Sequence, residues 1–253
     1  MADWLALARE LDDWAEAGRR ATLWWRDDDA EAPGPALDRL LSLADAMRLR
    51  PALAVVPAGA GPPLAEALAE RFDVLTHGLA HRNLAPAGER KAEFGPHRPV
   101  AEMLADAASG RQRLRLLFGV RALPVFVPPW NRLAATLVPR LVDAGFAALS
   151  TLGPRPAAEA APGLAQANCH VDPIDWRGGG SFAGEAAALT ALLAHLRARR
   201  LGQVDAAEPT GVMSHHRVQD AATWSFLERL FAETRERDGA HWLSPRDVFS
   251  LAP

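Results

Sequence analysis

Short apolar runs alternate with longer helical segments along almost the whole chain. The runs are Ala21–Trp25, Ala52–Val56, Asp73–Thr76, Leu123–Val127, Phe146–Ser150, Leu164–His170 and Thr210–Met213, with a short last one at His241–Leu243. Near-continuous apolar runs of this length are the mark of strands buried on both faces of a parallel sheet. After the first run, Leu37, Leu40, Leu41, Ala44 and Met47 share one helical face. Helices are also predicted over Pro63–Arg71, Val100–Leu117, Leu133–Ala144, Ala183–Arg200 and Ala221–Arg237. Pro63 suits a first helical turn, where a missing N–H costs nothing, and Gly145 suits a helix C-terminus. Regular strand–helix alternation predicts an α/β fold with a parallel sheet and helical crossovers, as a closed barrel or an open doubly wound sheet.

Composition narrows this reading. The 253 residues are 49% hydrophobic, enough for one large core. No compositional shift marks a boundary, so one domain over 1–253 is expected, with 1–18 an N-terminal accessory helix. Its Trp4, Leu5, Leu7, Leu11 and Trp14 either pack on the sheet or form a subunit interface. A net charge of −3 gives no basic field to attract nucleic acid. Arg197, Arg199 and Arg200 read as solvated cations at a helix C-terminus. Cys169, the single cysteine, excludes an internal disulfide and a Cys-only zinc site, and reads as a small core residue. No window approaches the ~20 apolar residues of a membrane span. The N-terminus lacks the basic start and apolar stretch of a signal peptide, so a cytoplasmic location is expected.

The reactive residues fall at consistent places. Asp27–Asp29, His77 and His81, Trp130 and Asn131, Asp172 and Asp175, and His215 and His216 each follow an apolar run. In parallel α/β barrels the C-terminal ends of the strands build the active site, so these groups are expected to converge on one pocket. His77 and His81, four residues apart, can reach one divalent ion, and a carboxylate would complete a site with positions open for water. Gly78 occupies the place where a zinc-protease helix needs Glu. Asp28 or Asp29 alternatively caps the next helix or starts the turn before Pro33. The stretch His81–Pro99 reads as a long loop, either a cover for the pocket or a solvated segment.

Together these pieces resemble the polysaccharide deacetylase (NodB-homology) superfamily, carbohydrate esterase family four. The resemblance rests on Asp27-Asp28-Asp29 after the first run, His77-Gly78-Leu79-Ala80-His81, Pro129-Trp130, Asp172-Pro173-Ile174-Asp175-Trp176 and Met213-Ser214-His215, in the family's order. It implies a distorted (β/α)7-type barrel and a metal-dependent hydrolase that removes an N-acetyl group from a saccharide by metal-activated water. The metal would be divalent, most often Zn2+, with Co2+ or Ni2+ as alternatives, held by Asp29, His77 and His81. Asp28 would be the base and His215 the acid, with Asp27–Asp28 as the alternative register. Trp130, Asp172, Asp175 and Trp176 would bind substrate or orient the catalytic groups. The substrate would be a small molecule or an oligosaccharide. The same site would also suit a non-sugar amide, and a non-catalytic saccharide-binding barrel is the third alternative. Two positions depart from the family: Gly78 replaces its Ser or Thr, and Val127 stands where it carries the Arg that pairs with the base. Arg26 or Arg98 would have to supply that cation.

Overall fold

Leu23 and Trp25 alternate with Trp24 along β1 (Ala21–Ala30), and the alternation sorts the molecule into an inside and an outside. The computed structural model describes residues 2–69 and 71–251. Ahead of β1 lies α1 (Trp4–Glu16). After it come α2 (Pro35–Met47), β2 (Ala52–Val55), α3 (Pro62–Ala67), β3 (Val74–His77), α4 (Val100–Phe118) and β4 (Ala122–Val127). Short strands follow: β5 (Ala148–Leu149), β6 (Glu159–Ala161), β7 (Leu164–Gln166), β8 (Cys169–Val171), and the hairpin of β9 (Ile174–Asp175) with β10 (Ser181–Phe182). The chain ends through α5 (Glu185–Arg200), β11 (Thr210–Ser214), α6 (Ala221–Arg235), β12 (Ala240–Trp242) and α7 (Pro245–Val248).

Hydrogen-bonded neighbours run β6-β7-β5-β4-β3-β2-β1-β11-β8, with β12 also beside β1. Within this mixed α/β fold the sheet is parallel except at β6–β7. The expected single run Leu164–His170 is two strands. Ala165 and Gln166 pair with β5, whereas Cys169 bridges Leu152 on one side and Gly211 of β11 on the other. One bent segment thus meets both ends of the sheet, which gives the distorted barrel. Asn168 holds the bend: its side chain accepts from the Thr151 N–H and donates to Gly153 O, and its own N–H donates to Glu208.

Inside the barrel, the small side chains of Ala52, Ala54 and Ala148 leave room for Trp24 and for the wholly buried Arg26. Outside, Leu23, Trp25, Leu53, Val55 and Val212 meet apolar faces of α2, α5 and α6, including Leu40, Leu192 and Leu227. Helix α1 packs on this outer layer through Leu7, Leu11 and Trp14. Its Glu10 is buried and accepts from Arg197 Nε at 3.2 Å and Arg200 Nε at 2.8 Å. The helix therefore docks on α5. No helix among the described residues is long and apolar enough to cross a membrane.

Four local expectations are corrected. The segment expected as the helix Leu133–Ala144 is a 3-10 turn over Val138–Ala144, because Pro139 lacks an N–H for an α-helical ladder; Gly145 still ends it in the left-handed region. None of Asp27–Asp29 caps α2, whose N-cap is Gly34. Arg199 is not a solvated helix end: it is buried, and its guanidinium donates to Thr22 O, Thr22 Oγ1 and Thr210 Oγ1. The loop after His81 is only partly solvated. Residues 82, 83 and 86–91 are exposed, but Ala92–Gly95 are buried, and Phe94 bridges Leu133.

His170, His195 and Glu208 form a second buried cluster, which has no motif in the sequence. The two imidazoles stack with centroids 3.4 Å apart and planes 11° from parallel. The Gly211 N–H donates to His170 Nδ1, so the ring proton sits on Nε2, which faces Glu208 at 3.4 Å. This arrangement presents an N–H rather than a lone pair, and it suits a neutral structural pair better than a cation. Burial lowers the pKa of His170, and burial, with the Arg199 charge, brings His195 down to about 2.

The sign follows from proton uptake. Below pH 6.5 the unfolded chain protonates His195 while the folded chain does not, so this group lowers stability as the pH falls. Urea titrations between pH 6.5 and 4.5 are expected to show His195→Gln with a shallower loss than the wild type. The difference should approach ~1.4 kcal/mol per pH unit, the linkage slope for one proton. Identical slopes would contradict a neutral, buried His195.

Candidate active site

The strand alternation that builds the barrel also separates the three aspartates. Asp27 falls on the outward side of β1, where it accepts from Ser214 Oγ at 2.6 Å and from the His216 N–H at 3.0 Å, and pairs with His216 Nδ1. Trp25 Nε1 donates to the same Ser214 hydroxyl at 2.7 Å. Burial works against the His216 charge, but Asp27 more than offsets it and raises the His216 pKa. Both His215 and His216 are buried. The acceptor capacity of Asp27 is spent on β11, away from the pocket.

Asp28 points into the barrel and meets Arg26, two residues back on the same strand face. Arg26 Nε and Nη2 donate to Asp28 Oδ1 and Oδ2 at 2.8 and 2.9 Å, a bidentate pair with almost no water contact. The remaining N–H groups go to Ser150 Oγ at 2.7 Å, Asn131 Oδ1 at 2.8 Å and, at longer range, Thr151 O. Burial works against the charge on Arg26, yet Asp28 outweighs it and the pKa is raised. Arg98 is committed to Asp106 and to Glu93 O, so Arg26 is the cation beside Asp28.

Asp29 breaks the alternation. Its φ of 71° and the register shift between Asp27 and Ala30 turn it toward β3. There Oδ1 lies 3.1 Å from His77 Nε2 and 3.2 Å from His81 Nε2. His77, at the end of β3, directs Nδ1 at Val127 O, 3.0 Å away, which fixes the proton on that nitrogen and leaves Nε2 facing the carboxylate. Burial alone would raise Asp29, but its hydrogen bond to His77 and the charges of His77, His81 and His215 hold it well below the carboxylate range. A lone pair and a carboxylate facing each other need a proton or a cation between them. Two imidazoles and one carboxylate within 4.8 Å are the donor set for a divalent ion, so the residues fit a metal.

Gly78 explains itself. Its φ is +63°, and a Cβ there would lie 2.3 Å from Glu93 Oε2 and 2.5 Å from Pro129 Cγ. The buried Glu93 accepts from the Leu79 and Ala80 N–H groups and so holds the turn between the two histidines. His81 itself has a φ of 50° and packs its ring 4.3 Å from Trp130. Nothing in the apolar pattern singles out Glu93 or Ser150, because their roles depend on contacts across the barrel, whereas Asn131, expected at the pocket, lines it and accepts from Arg26.

Asp28, Asp29, His77, His81, Trp130, Asp172, Trp176 and His215 line one cavity of about 530 Å³. The Trp176 edge packs on His215 at 4.7 Å, and Trp176 Nε1 donates to Asp172 at 2.7 Å. Burial raises the Asp172 pKa, while His215 and the Trp176 N–H pull it back. Asp175 is not brought to the cavity. It is exposed, and its Oδ1 accepts from the Arg177 and Gly178 N–H groups, shaping the turn between β9 and β10. Cys169 is buried, and desolvation pushes its thiol up to about 12, as a core residue requires.

Replacing one partner of the buried pair should cost far more than replacing both. Arg26→Met is expected to destabilise the fold by about 3–5 kcal/mol in urea unfolding at pH 7, because it strands a buried charge. Arg26→Met with Asp28→Asn should recover much of that loss. A double variant no more stable than the single one would show that packing, not charge, sets the cost.

The sequence matches no protein-family model and no curated protein. Solved structures do match. A Mycobacterium smegmatis protein assigned as a polysaccharide deacetylase is 16% identical with a TM-score of 0.60, covering 92% of this chain and 93% of its own. A peptidoglycan N-acetylglucosamine deacetylase is 15% identical with a TM-score of 0.59, covering 95% and 97%. A family 4 acetyl xylan esterase from Clostridium thermocellum, solved with cobalt, is 16% identical with a TM-score of 0.53, covering 90% of each chain. The chain therefore has the fold of the polysaccharide deacetylases and family 4 carbohydrate esterases, the superfamily its motifs resemble.

Proposed function

We propose that this protein is a metal-dependent hydrolase that removes an N-acetyl group from a saccharide. The observation that carries the reading is the convergence of Asp29, His77 and His81 with Asp28 and His215 on one cavity. A binding module would have no use for a buried carboxylate aligned by a bidentate guanidinium beside a three-residue metal-ligand set. The fold shared with deacetylases and esterases supports the same reading, and the cobalt in one of those structures supports a divalent ion.

Asp29, His77 and His81 would hold the ion, most often Zn2+ for such a donor set. When bound, a divalent ion polarises an acyl carbonyl and lowers the pKa of a water molecule. The chain supplies the rest. Arg26 occupies one lone pair on each Asp28 oxygen and holds the carboxylate in one orientation, leaving further lone pairs to take a proton from the attacking water. His215 Nδ1 is buried without a partner, so Nε2 is the nitrogen that delivers a proton to the departing amine. Asp172 accepts from Trp176 Nε1, whose ring edge packs on His215, so it helps to position the wall beside that imidazole. Trp130 and Trp176 offer flat apolar faces to a sugar ring. The Asn131 N–H is taken by Pro128 O, so it is not free to stabilise an oxyanion.

Two variants separate chemistry from metal binding. With an N-acetylated chito-oligosaccharide and zinc, Asp28→Asn should lower kcat by about 10²–10⁴-fold, the usual worth of a general base, with metal content unchanged. His77→Ala should lose metal and turnover together. Wild-type turnover in Asp28→Asn would remove Asp28 as the base and with it the assigned register.

A further inference from the structure

The rim of the cavity carries chemistry that the hydrolytic residues leave unused. Arg90 and Lys91 come from the loop after His81, Arg132 from the segment after β4, and Arg177 from the turn between β9 and β10. Among the described residues none of these four side chains forms an ion pair. Arg132 Nη1 donates to Lys91 O at 2.6 Å, which ties two of the loops together, while Arg132 Nε is buried with no partner. Partial burial and the neighbouring Arg90 charge both lower the Arg132 pKa.

The carboxylates of the same cavity are already engaged. Asp28 is paired with Arg26, Asp29 belongs with His77 and His81, and Asp172 accepts from Trp176. The cavity is therefore polarised: its buried end holds the metal-ligand set, and its exposed end holds cations. The chain as a whole has a net charge of −3, so a basic general surface does not explain the cluster. Like charges gathered at one mouth repel unless an anion answers them. One carboxylate engages a single guanidinium fork, whereas phosphate oxygens accept from several Arg and Lys donors at once.

Building on the hydrolase reading above, we propose that the substrate is a phosphorylated N-acylamino saccharide. Its acyl group lies at Asp29, His77 and His81, and its phosphate or diphosphate is held by Arg90, Lys91, Arg132 and Arg177. Water adds to the acyl carbon, the C–N bond breaks, the carboxylic acid departs and the amine keeps the phosphorylated sugar. The phosphate can belong to a soluble sugar phosphate or to a lipid-linked sugar.

Calorimetric titration of zinc-loaded protein with N-acetylglucosamine 1-phosphate and with N-acetylglucosamine tests this independently of turnover. The phosphorylated sugar should bind at least about tenfold more tightly at low salt, with the advantage shrinking as salt rises. The affinity ratio should fall toward one in Arg132→Gln/Arg177→Gln, and in Arg90→Gln/Lys91→Gln as a second, separate pair. Equal affinities, or a ratio that survives in both pairs, would overturn the proposal. Hydrolysis assays on the same two sugars separate it from the hydrolase reading. Phosphate-dependent binding without hydrolysis of either sugar keeps the rim and removes the deacetylase. Equal hydrolysis of both keeps the deacetylase and removes the rim. Given a preference, UDP-N-acetylglucosamine against vesicles carrying polyprenyl-diphosphate N-acetylglucosamine distinguishes the soluble from the lipid-linked source.

Discussion

A guanidinium with no water contact at the centre of a barrel dictates much of what surrounds it. Arg26 would be costly to bury without partners, and it finds them at the strand ends: Ser150 after β5, and two residues that line the cavity, Asp28 across two residues of β1 and Asn131 after β4. The small alanines of β2 and β5 make the space, and the bidentate geometry leaves Asp28 one orientation. The pair thus couples the barrel's packing to the aim of a carboxylate. In the family the sequence resembles, the cation comes from the strand occupied here by Val127. In this chain it comes from the same strand as the carboxylate it serves.

Period-two geometry explains why three consecutive aspartates have three different fates. Asp27 is carried outward into the Ser214–His216 network, and Asp28 inward to Arg26. Asp29, freed from the ladder by its positive φ, reaches His77 and His81. A one-residue slip of β1 would exchange the first two and dismantle both networks. A similar economy links Gly78 and Glu93. The positive φ that admits only glycine without strain also brings the Leu79 and Ala80 N–H groups onto the Glu93 carboxylate, and that contact holds the turn between the histidines.

Much of this was legible in the order of residues. The buried runs predicted a parallel α/β sheet, closed or open, the family resemblance implied the barrel, and the polar clusters following each run predicted one pocket, which gathers Asp29, His77, His81, Trp130, Asp172 and His215. What escaped depends on contacts distant in sequence. Asp175 stands one motif position from a pocket residue, yet local hydrogen bonds to Arg177 and Gly178 turn it into a turn former. Arg199 looked like a solvated helix end because nothing local reveals that Thr22 and Thr210 await it. The break between β7 and β8 follows from having to satisfy β5 and β11 together, a constraint no single run contains. The choice between Arg26 and Arg98 was likewise a question of which cation the fold had already spent, and Asp106 answers it.

Anomalous diffraction at the zinc edge from crystals grown with zinc would locate the ion independently of any turnover assay. One strong peak is expected, bonded to Asp29 Oδ, His77 Nε2 and His81 Nε2 at about 2.0–2.2 Å, with Asp28 outside the bonding sphere and still paired to Arg26. A peak at His170, His195 and Glu208 instead, or zinc bound by Asp27 or Asp28 in place of Asp29, would contradict it.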